Sequence, residues 1–180
     1  MKREAKRREG APPCSECGAP VKVTRGVDRY ALAPGWAATI EGVELLHCEK
    51  CGSRSTVIEG VLPMQRAIAA AVVRKPTRLA AQEVKFLRTH LAMTAQELAE
   101  VLGVTTRSLT RWETPGAKPA ERIGAVPDRL LRTVVLLADG GEDHYDPRQL
   151  AAIVEGDGPM RLTVRMKDGH WEARVPGKAA

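Results

Sequence analysis

The apolar residues between positions 14 and 62 fall in short runs that glycines separate. The runs lie at 21–24, 37–46 and 56–58. Runs of this length bounded by turn residues predict β-strands. So small a segment of short strands buries too little apolar surface to be stable by itself, so we expect a bound metal to hold it together.

Longer segments with helical spacing follow. A helix is predicted from Pro63 through Val73, and Pro76 ends it or opens a linker. Three further stripes recur with the period of a helix. They consist of Val84, Leu87 and Leu91; of Ala95, Leu98, Ala99 and Leu102; and of Leu130, Val134 and Leu137. Each stripe predicts an inward face, and these helices can share one core, separate from that of the strands.

Two short helices have well-defined predicted ends. Thr94 and Glu97 form a capping box that starts a helix at 95, and Gly103 ends it. Thr105 can cap the next helix, which Pro115 stops. Two helices of about eight residues joined by a glycine-containing turn form a helix-turn-helix. Pairs of short helices also occur in cores that never contact DNA.

The C-terminal residues predict a β-hairpin. Asp168-Gly169 is typical of a type I′ turn. A two-residue loop there pairs Met166 with Trp171, Val164 with Ala173, and Leu162 with Val175. Since these apolar side chains share one face, the hairpin must pack against the helical domain or a second subunit. A short helix is expected before it, starting at Asp146-Pro147.

The chain has four cysteines, arranged as two Cys-x-x-Cys-Gly repeats: Cys14, Cys17, Cys48 and Cys51. Two residues between cysteines allow both sulfurs to face one ion, and the glycine after each pair permits the tight turn. The spacing predicts one structural Zn²⁺ with four thiolate ligands. Closed coordination leaves no position for substrate, so this metal is not catalytic.

Three other chemistries also use cysteine pairs: disulfide formation, redox exchange and iron binding. Disulfides suit secreted proteins, but the charged start of the chain lacks the apolar region of a secretory signal, so we expect a cytoplasmic protein. Redox chemistry needs one Cys-x-x-Cys pair, usually at a helix start, and here two pairs lie among strand and turn signals. An iron centre is excluded only by metal analysis.

Charge is spread unevenly along the chain. The net charge of +6 and the pI of about 9.4 favour a polyanionic partner. Residues 14–62 carry five Lys and Arg against six Asp and Glu, so this segment suits a protein partner better than phosphate. The basic stretch between Arg66 and Arg88 is either a solvated helix face or a phosphate-contacting surface. No apolar run is long enough to span a membrane.

The sequence therefore predicts an α+β protein in five parts. They are a disordered basic tail (1–13), a β-rich zinc-binding module (14–62), a connecting helix and linker (63–76), an all-α helix-turn-helix domain (77–138), and a linker, short helix and β-hairpin (139–180). We find no phosphate loop, paired-acid site or Ser-His-Asp arrangement, so an enzyme is not expected.

The segment from Leu91 to Glu113, LAMTAQELAEVLGVTTRSLTRWE, resembles the helix-turn-helix of Cro- and phage-repressor-like (Xre) proteins. Together with the double Cys-x-x-Cys upstream, it is similar to the MqsA-type antitoxins, which carry a YgiT-type zinc finger. This resemblance spans about residues 14–138. It implies a dimeric repressor of its own operon that binds a palindromic operator, with a zinc module that neutralises a ribonuclease toxin.

The same resemblance indicates which residues contact DNA. On a repressor-like docking the base-reading residues are Thr106, Arg107 and Arg111, and the phosphate-contacting residues are Thr105, Ser108 and Thr110. Where the family tends to place Asn, this chain has Arg107, so we expect a guanine in each half-site. For Arg111 the alternative is an ion pair with Glu113 or Glu97.

We thus expect a zinc-stabilised, DNA-binding transcriptional repressor that serves as an antitoxin. Two alternatives remain from sequence alone. One is a stand-alone regulator without a toxin. The other is a protein-interaction module whose helix-turn-helix does not read DNA.

Overall fold

A computed structural model describes residues 12–116, 118, 121–140, 146, 148–156 and 158–175. The predicted tail lies outside these residues except for positions 12 and 13. Within the described residues the chain forms a five-stranded sheet and six helices, so the expected α+β class is confirmed. The elements are β1 (Lys22–Ala33), β2 (Trp36–His47), β3 (Arg54–Val57), α1 (Val61–Val73), α2 (Ala81–His90), α3 (Ala95–Val101), α4 (Thr106–Trp112), α5 (Ala125–Ala138), α6 (Arg148–Ala151), β4 (Thr163–Lys167) and β5 (His170–Arg174).

The sheet is built around β2. β1 and β2 form a long antiparallel hairpin that turns at Pro34-Gly35, and β3 pairs antiparallel with the far end of β2. β4 pairs parallel with the middle of β2, where Ile40 lies opposite Val164. β5 pairs with β4 at the edge of the sheet, which gives the strand order β1-β2-β4-β5. The strands near the two ends of the chain therefore belong to one sheet.

The C-terminal hairpin has the register that the sequence predicts. Met166 lies opposite Trp171 and Val164 opposite Ala173. Asp168 and Gly169 both have positive φ, as a type I′ turn requires. The hairpin packs against α1 and β2, and the Trp171 indole donates a hydrogen bond of 2.7 Å to the Glu59 carbonyl. Most of its apolar face is thus covered within the same chain, and Met166 next to the turn stays exposed.

The expectation of two separate cores is wrong. A single cluster of buried residues contains Ile40 and Val43 of β2, Ile68 of α1 and Leu98 of α3. Trp36 at the start of β2 packs edge-on against Phe86 of α2, with ring centroids 5.6 Å apart. The reason is that α1 lies on the sheet, so the strands bury their apolar face against the helices.

The predicted inward stripe of α5 is also wrong. Leu130 and Leu137 are exposed, and Val134 is half-buried. The helix instead buries Leu131 and Val135, together with two charged residues. α5 carries apolar residues on two sides. The periodicity of the sequence predicted as buried the side that in fact faces solvent.

The charged residues buried by α5 belong to a network at the centre of the molecule. Arg132 donates to the Asp128 carboxylate at 2.7 Å, to the carbonyl oxygen of the last residue of α1 and to two carbonyl oxygens of the α1–α2 connection. Nearby, Glu83 accepts from the Lys75 ammonium at 2.7 Å and from the Met160 amide at 2.7 Å. Since each buried charge has an opposite partner, this network joins α1, α2, α5 and the segment before β4.

The described residues contain no helix with both the length and the apolar character that crossing a bilayer requires.

Candidate metal centre and nucleic-acid interface

The two Cys-x-x-Cys repeats form two turns of the same geometry. In the first, the Gly18 amide donates to the Cys14 carbonyl at 2.9 Å, and in the second the Gly52 amide donates to the Cys48 carbonyl at 2.9 Å. Gly18 and Gly52 have φ of 69° and 75°, a region that side chains with a Cβ rarely adopt. The glycine after each pair is therefore required by the turn, as the sequence indicates.

The turns bring the four thiols together. Cys14 precedes β1 and Cys48 follows β2. Because β1 and β2 pair with each other, the open end of the hairpin brings the two Cys-x-x-Cys pairs together. The sulfurs of Cys14 and Cys51 lie 3.6 Å apart, and those of Cys17 and Cys48 lie 3.5 Å apart. All four sulfurs lie within 4.8 Å of one another, so these four cysteines could hold one metal ion. His47, which lies beside Cys48 in the sequence and could replace a cysteine as a ligand, is not part of this group.

The pKa values of the thiols reflect this crowding. The hydrogen bond from the Cys51 amide lowers the pKa of Cys48 to about 6. The Ala19 amide favours the thiolate of Cys17, but burial and the neighbouring cysteines outweigh it and raise its pKa to about 12. The protein alone thus stabilises some of the thiolates and opposes others. A cation at the centre of the group favours ionisation of all four.

The expected caps of α3 and α4 are present. Thr94 accepts from the Glu97 amide at 3.2 Å, and the Glu97 carboxylate accepts from the Thr94 amide at 2.7 Å. The Thr94 amide, and after it the Thr94 hydroxyl, hold the pKa of the Glu97 carboxylate below its usual value by donating hydrogen bonds to it. Thr105 accepts from the Ser108 amide at 3.1 Å and caps α4. The local sequence alone therefore defines where both helices begin.

The predicted DNA-contacting residues lie on the outer side of α4. Thr105, Thr106, Arg107, Thr110 and Arg111 are exposed, and Ser108 is half-buried. On the opposite side of the helix Leu109 is fully buried, and Trp112 packs against the core. The exposed side chains are thus available to a partner that approaches α4.

The alternative of an ion pair for Arg111 is not observed. Among the described residues neither Arg107 nor Arg111 has an ion pair. The Glu97 carboxylate binds the Thr94 amide, and Glu113 binds another arginine. Neither arginine of α4 is therefore held by Glu97 or Glu113.

The partner of Glu113 is Arg88 of α2. The Arg88 guanidinium makes two hydrogen bonds to the Glu113 carboxylate, at 2.6 and 2.9 Å, and a third to the Met93 carbonyl at 2.9 Å. The Glu113 carboxylate raises the pKa of Arg88. Because the pair is largely buried, it fixes the C-terminal end of α4 to α2. Sequence reasoning missed this role and considered Arg88 for phosphate contact.

The basic stretch between Arg66 and Arg88 is not a uniform surface. Lys75 is buried against Glu83, Arg78 pairs with Glu155 at 2.7 Å, and Arg88 pairs with Glu113. Half of its basic residues therefore hold the fold together. Neither a solvated helix face nor a continuous phosphate-binding surface describes it.

Comparisons with family models, curated proteins and solved structures give no match to this chain. The resemblance to MqsA-type antitoxins therefore rests on the sequence motifs themselves.

Proposed function

We propose that this protein is a zinc-stabilised, sequence-specific DNA-binding repressor that acts as the antitoxin of a toxin–antitoxin system. One observation supports DNA binding above the others. Arg107 and Arg111 lie about one turn apart on the exposed side of α4, without ion pairs to other described residues. The buried Leu109 and the Arg88–Glu113 pair hold the opposite side of that helix in place.

The proposed mechanism follows from this arrangement. α4 enters the major groove, and each arginine donates two hydrogen bonds to the O6 and N7 atoms of a guanine. Thr106, in the first turn, reaches a base edge from the same side. Each arginine side chain is long and exposed, so it can adjust its position to the base edge in the groove. The buried side of α4 keeps the helix itself in a fixed position.

In this mechanism the three remaining hydroxyls, those of Thr105, Ser108 and Thr110, contact DNA phosphates. Thr110 donates its proton to the Thr106 carbonyl, and the Thr105 and Ser108 hydroxyls share a hydrogen bond of 2.9 Å. One proton of the Thr105–Ser108 pair is therefore left for a phosphate oxygen. Thr110 contributes only if its bond within the helix is released.

Arg111→Ala tests the DNA-binding proposal. We expect it to weaken binding to a selected operator by about tenfold or more per half-site, since a bidentate arginine–guanine contact contributes about 1–3 kcal/mol. Fluorescence anisotropy on operator and random DNA at fixed salt measures the effect. Arg148→Ala, which removes an exposed arginine from α6, is the matched control. An equal loss on both DNAs would make Arg111 a phosphate contact, and no binding by the intact protein would refute the proposal.

We propose Zn²⁺ as the metal of the cysteine group. Four thiolates around Zn²⁺ with bonds of about 2.3 Å place neighbouring sulfurs about 3.8 Å apart. The sulfur separations of 3.5 and 3.6 Å are close to that spacing. Sulfur ligands also select against Mg²⁺ and Ca²⁺. Elemental analysis should give one zinc per chain, and iron in its place would refute the assignment.

The antitoxin role is supported by the resemblance and by the slightly acidic charge of residues 14–62. A basic ribonuclease would be attracted to that segment. The test is to co-express the protein with the product of any small open reading frame found next to its gene, and then to purify it by affinity. A complex that suppresses RNA cleavage supports the role. A repressor that binds its promoter and has no such partner would be a stand-alone regulator.

A further inference from the structure

The sheet has a second side, opposite to the one that faces the core. Side chains alternate between the two sides of a strand. Ala38 and Ile40 of β2 and Val164 of β4 are buried in the core. Thr39 and Thr163, which are adjacent to these residues in the sequence, therefore point to the opposite side, which we call the outer side of the sheet.

The strand register places polar side chains next to one another on the outer side. Arg29 of β1 lies opposite Thr39, and Thr39 lies opposite Thr163. Neighbouring strands are about 4.8 Å apart, so the backbones at Arg29 and Thr163 are separated by about 10 Å. Arg161 precedes the buried Leu162 and is exposed. Two arginines and two threonines are thus gathered in one small area.

These four residues line a groove of about 450 Å³ next to the β1–β2 turn. The volume lies within the range of sites for small organic ligands. Hydrogen bonds fix its walls, since the Trp36 indole donates to the Met160 carbonyl at 2.8 Å and the Thr39 amide donates to the Leu162 carbonyl at 2.9 Å. The groove is therefore formed before a ligand arrives, which lowers the cost of binding. The rest of its lining is apolar and consists of Gly35, Trp36, Ala37, Pro159, Met160 and Leu162.

The groove is positively charged, and its charges are not neutralised by the protein. Of the residues that the structure describes, none that lines the groove is acidic. Arg29 and Arg161 are exposed, and neither forms an ion pair with a described residue. The Thr39 and Thr163 hydroxyls likewise make no hydrogen bond to a described residue, so both can donate a proton to a ligand. The groove thus offers only donors, which suits an anion.

We propose that this groove binds the phosphate group of a small organic phosphate monoester of the size of a mononucleotide. Near neutral pH such a group carries close to two negative charges, which the two guanidiniums match. Each guanidinium can make paired hydrogen bonds to phosphate oxygens, and the threonine hydroxyls donate to the oxygens that remain. The organic part of the ligand lies against the apolar lining. The site does not include α4, so it does not depend on the proposed DNA binding.

A nucleic-acid strand suits the groove less well than a small phosphate monoester. Each phosphate within a strand carries one negative charge, so it matches only one of the two arginines. Surfaces that bind single strands also stack bases on aromatic side chains, and Trp36 of this groove is buried and bonded to Met160.

Titration of the full-length, ¹⁵N-labelled protein with AMP, followed by amide chemical shifts, tests the proposal. We expect a dissociation constant on the order of 0.1 mM and shifts that centre on residues 29, 39 and 161–163. Adenosine, which lacks the phosphate, should bind at least about tenfold more weakly. Inorganic phosphate should shift the same amides, because the arginines and threonines recognise the phosphate group itself.

Two variants test the role of the arginines. Arg161→Gln should weaken AMP binding at least about tenfold, because it removes a charged donor from the phosphate. Arg25→Gln is the matched control, since Arg25 is exposed on the same side of β1 and does not line the groove. Arg25 lies about 13 Å along the strand from Arg29, so its charge is largely screened and the affinity should change by less than about twofold.

The remaining outcomes decide against the site. No shift at these residues up to about 10 mM AMP, equal affinity for AMP and adenosine, or equal weakening by Arg25→Gln and Arg161→Gln would overturn the proposal. Duplex DNA of random sequence that shifts residues 29 and 161, when AMP does not, would assign the groove to the nucleic-acid backbone instead. Circular dichroism verifies that each variant is folded, and both replaced side chains are exposed.

Discussion

The Asp128 carboxylate and the Arg132 guanidinium are both excluded from water. Taking two charges out of water costs several kcal/mol each, and their attraction offsets this only when the remaining hydrogen-bonding groups are satisfied. Arg132 meets that condition through the carbonyl oxygens of Val73, Lys75 and Thr77. Single side chains thus fix the connection between α1 and α2, which has no regular structure of its own.

Replacing Arg132 by Met should destabilise the protein by about 3–5 kcal/mol, because Asp128 is left as an uncompensated buried charge. Urea unfolding followed by circular dichroism measures the loss. Arg148→Met serves as the control, since Arg148 is exposed and should change stability by less than about 0.5 kcal/mol. If Arg132→Met lost less than about 1 kcal/mol, the network would contribute little to stability.

Glu97 gives a prediction about pH. The Thr94 amide and hydroxyl hold its pKa below the usual value, so the folded protein binds the proton less tightly than the unfolded chain. The stabilisation that this carboxylate contributes is fully present above the pKa of Glu97 in the unfolded chain, which is near 4.3. It is lost as the pH falls through the lower pKa of Glu97 in the folded protein. Melting temperatures of wild type and Glu97→Gln should differ at pH 7 and converge at low pH. A constant difference at every pH would contradict this.

At the scale of elements, the β1–β2 hairpin has two differently supported ends. The turn end carries Trp36, Ile40 and Val43 into the common core. The open end carries the four cysteines, and the short β3 pairs with it. A metal held by the cysteines would therefore stabilise one end of these two strands, and the apolar core stabilises the other.

Metal removal should loosen only the open end. Amide exchange with and without a chelator is expected to show faster exchange at residues 44–57, while 36–43 remain protected by the core. Loss of protection along the whole hairpin would mean that the metal stabilises the entire sheet. Equal exchange in both samples would mean that the cysteine turns hold without metal.

The parts of the fold that depend on neighbouring residues could be predicted from the sequence. The caps at Thr94 and Thr105, the cysteine turns and the hairpin register all follow from a few adjacent positions. The pairing of β2 with β4 joins residues near 40 to residues near 164, and no local signal marks it. The prediction of the buried face of α5 was wrong for another reason: periodicity alone does not distinguish a core face from an exposed apolar one.

At the scale of the whole molecule, one core serves strands and helices that are far apart in sequence. Lys75 donates to the Gly158 carbonyl at 2.8 Å, and Glu83 binds the Met160 amide, so the segment before β4 is attached to the helices. β4 and β5 then complete the sheet that β1 and β2 begin. The chain cannot be cut between α1 and α2 without dividing this core.

Residues 1–76 and 77–180 should consequently not fold as separate fragments. Each alone is expected to give a poorly dispersed ¹H–¹⁵N spectrum, and co-expression should restore the dispersion of the intact protein. A well-dispersed spectrum from residues 1–76 with metal would show that the N-terminal module folds independently, as the sequence first indicated.

The parallel pairing of β2 with β4 also determines the order of events during synthesis. Thr39 pairs with Thr163, so the ribosome must add more than a hundred residues before that edge of β2 meets its partner. At about 5–20 residues per second, this takes roughly 6–25 s. During that interval the nascent chain exposes an unpaired strand edge to its neighbours on the same polysome. Early capture of metal by the cysteines would fix the β1–β2 register before the edge is covered, and metal starvation should appear first as aggregation of newly made chains.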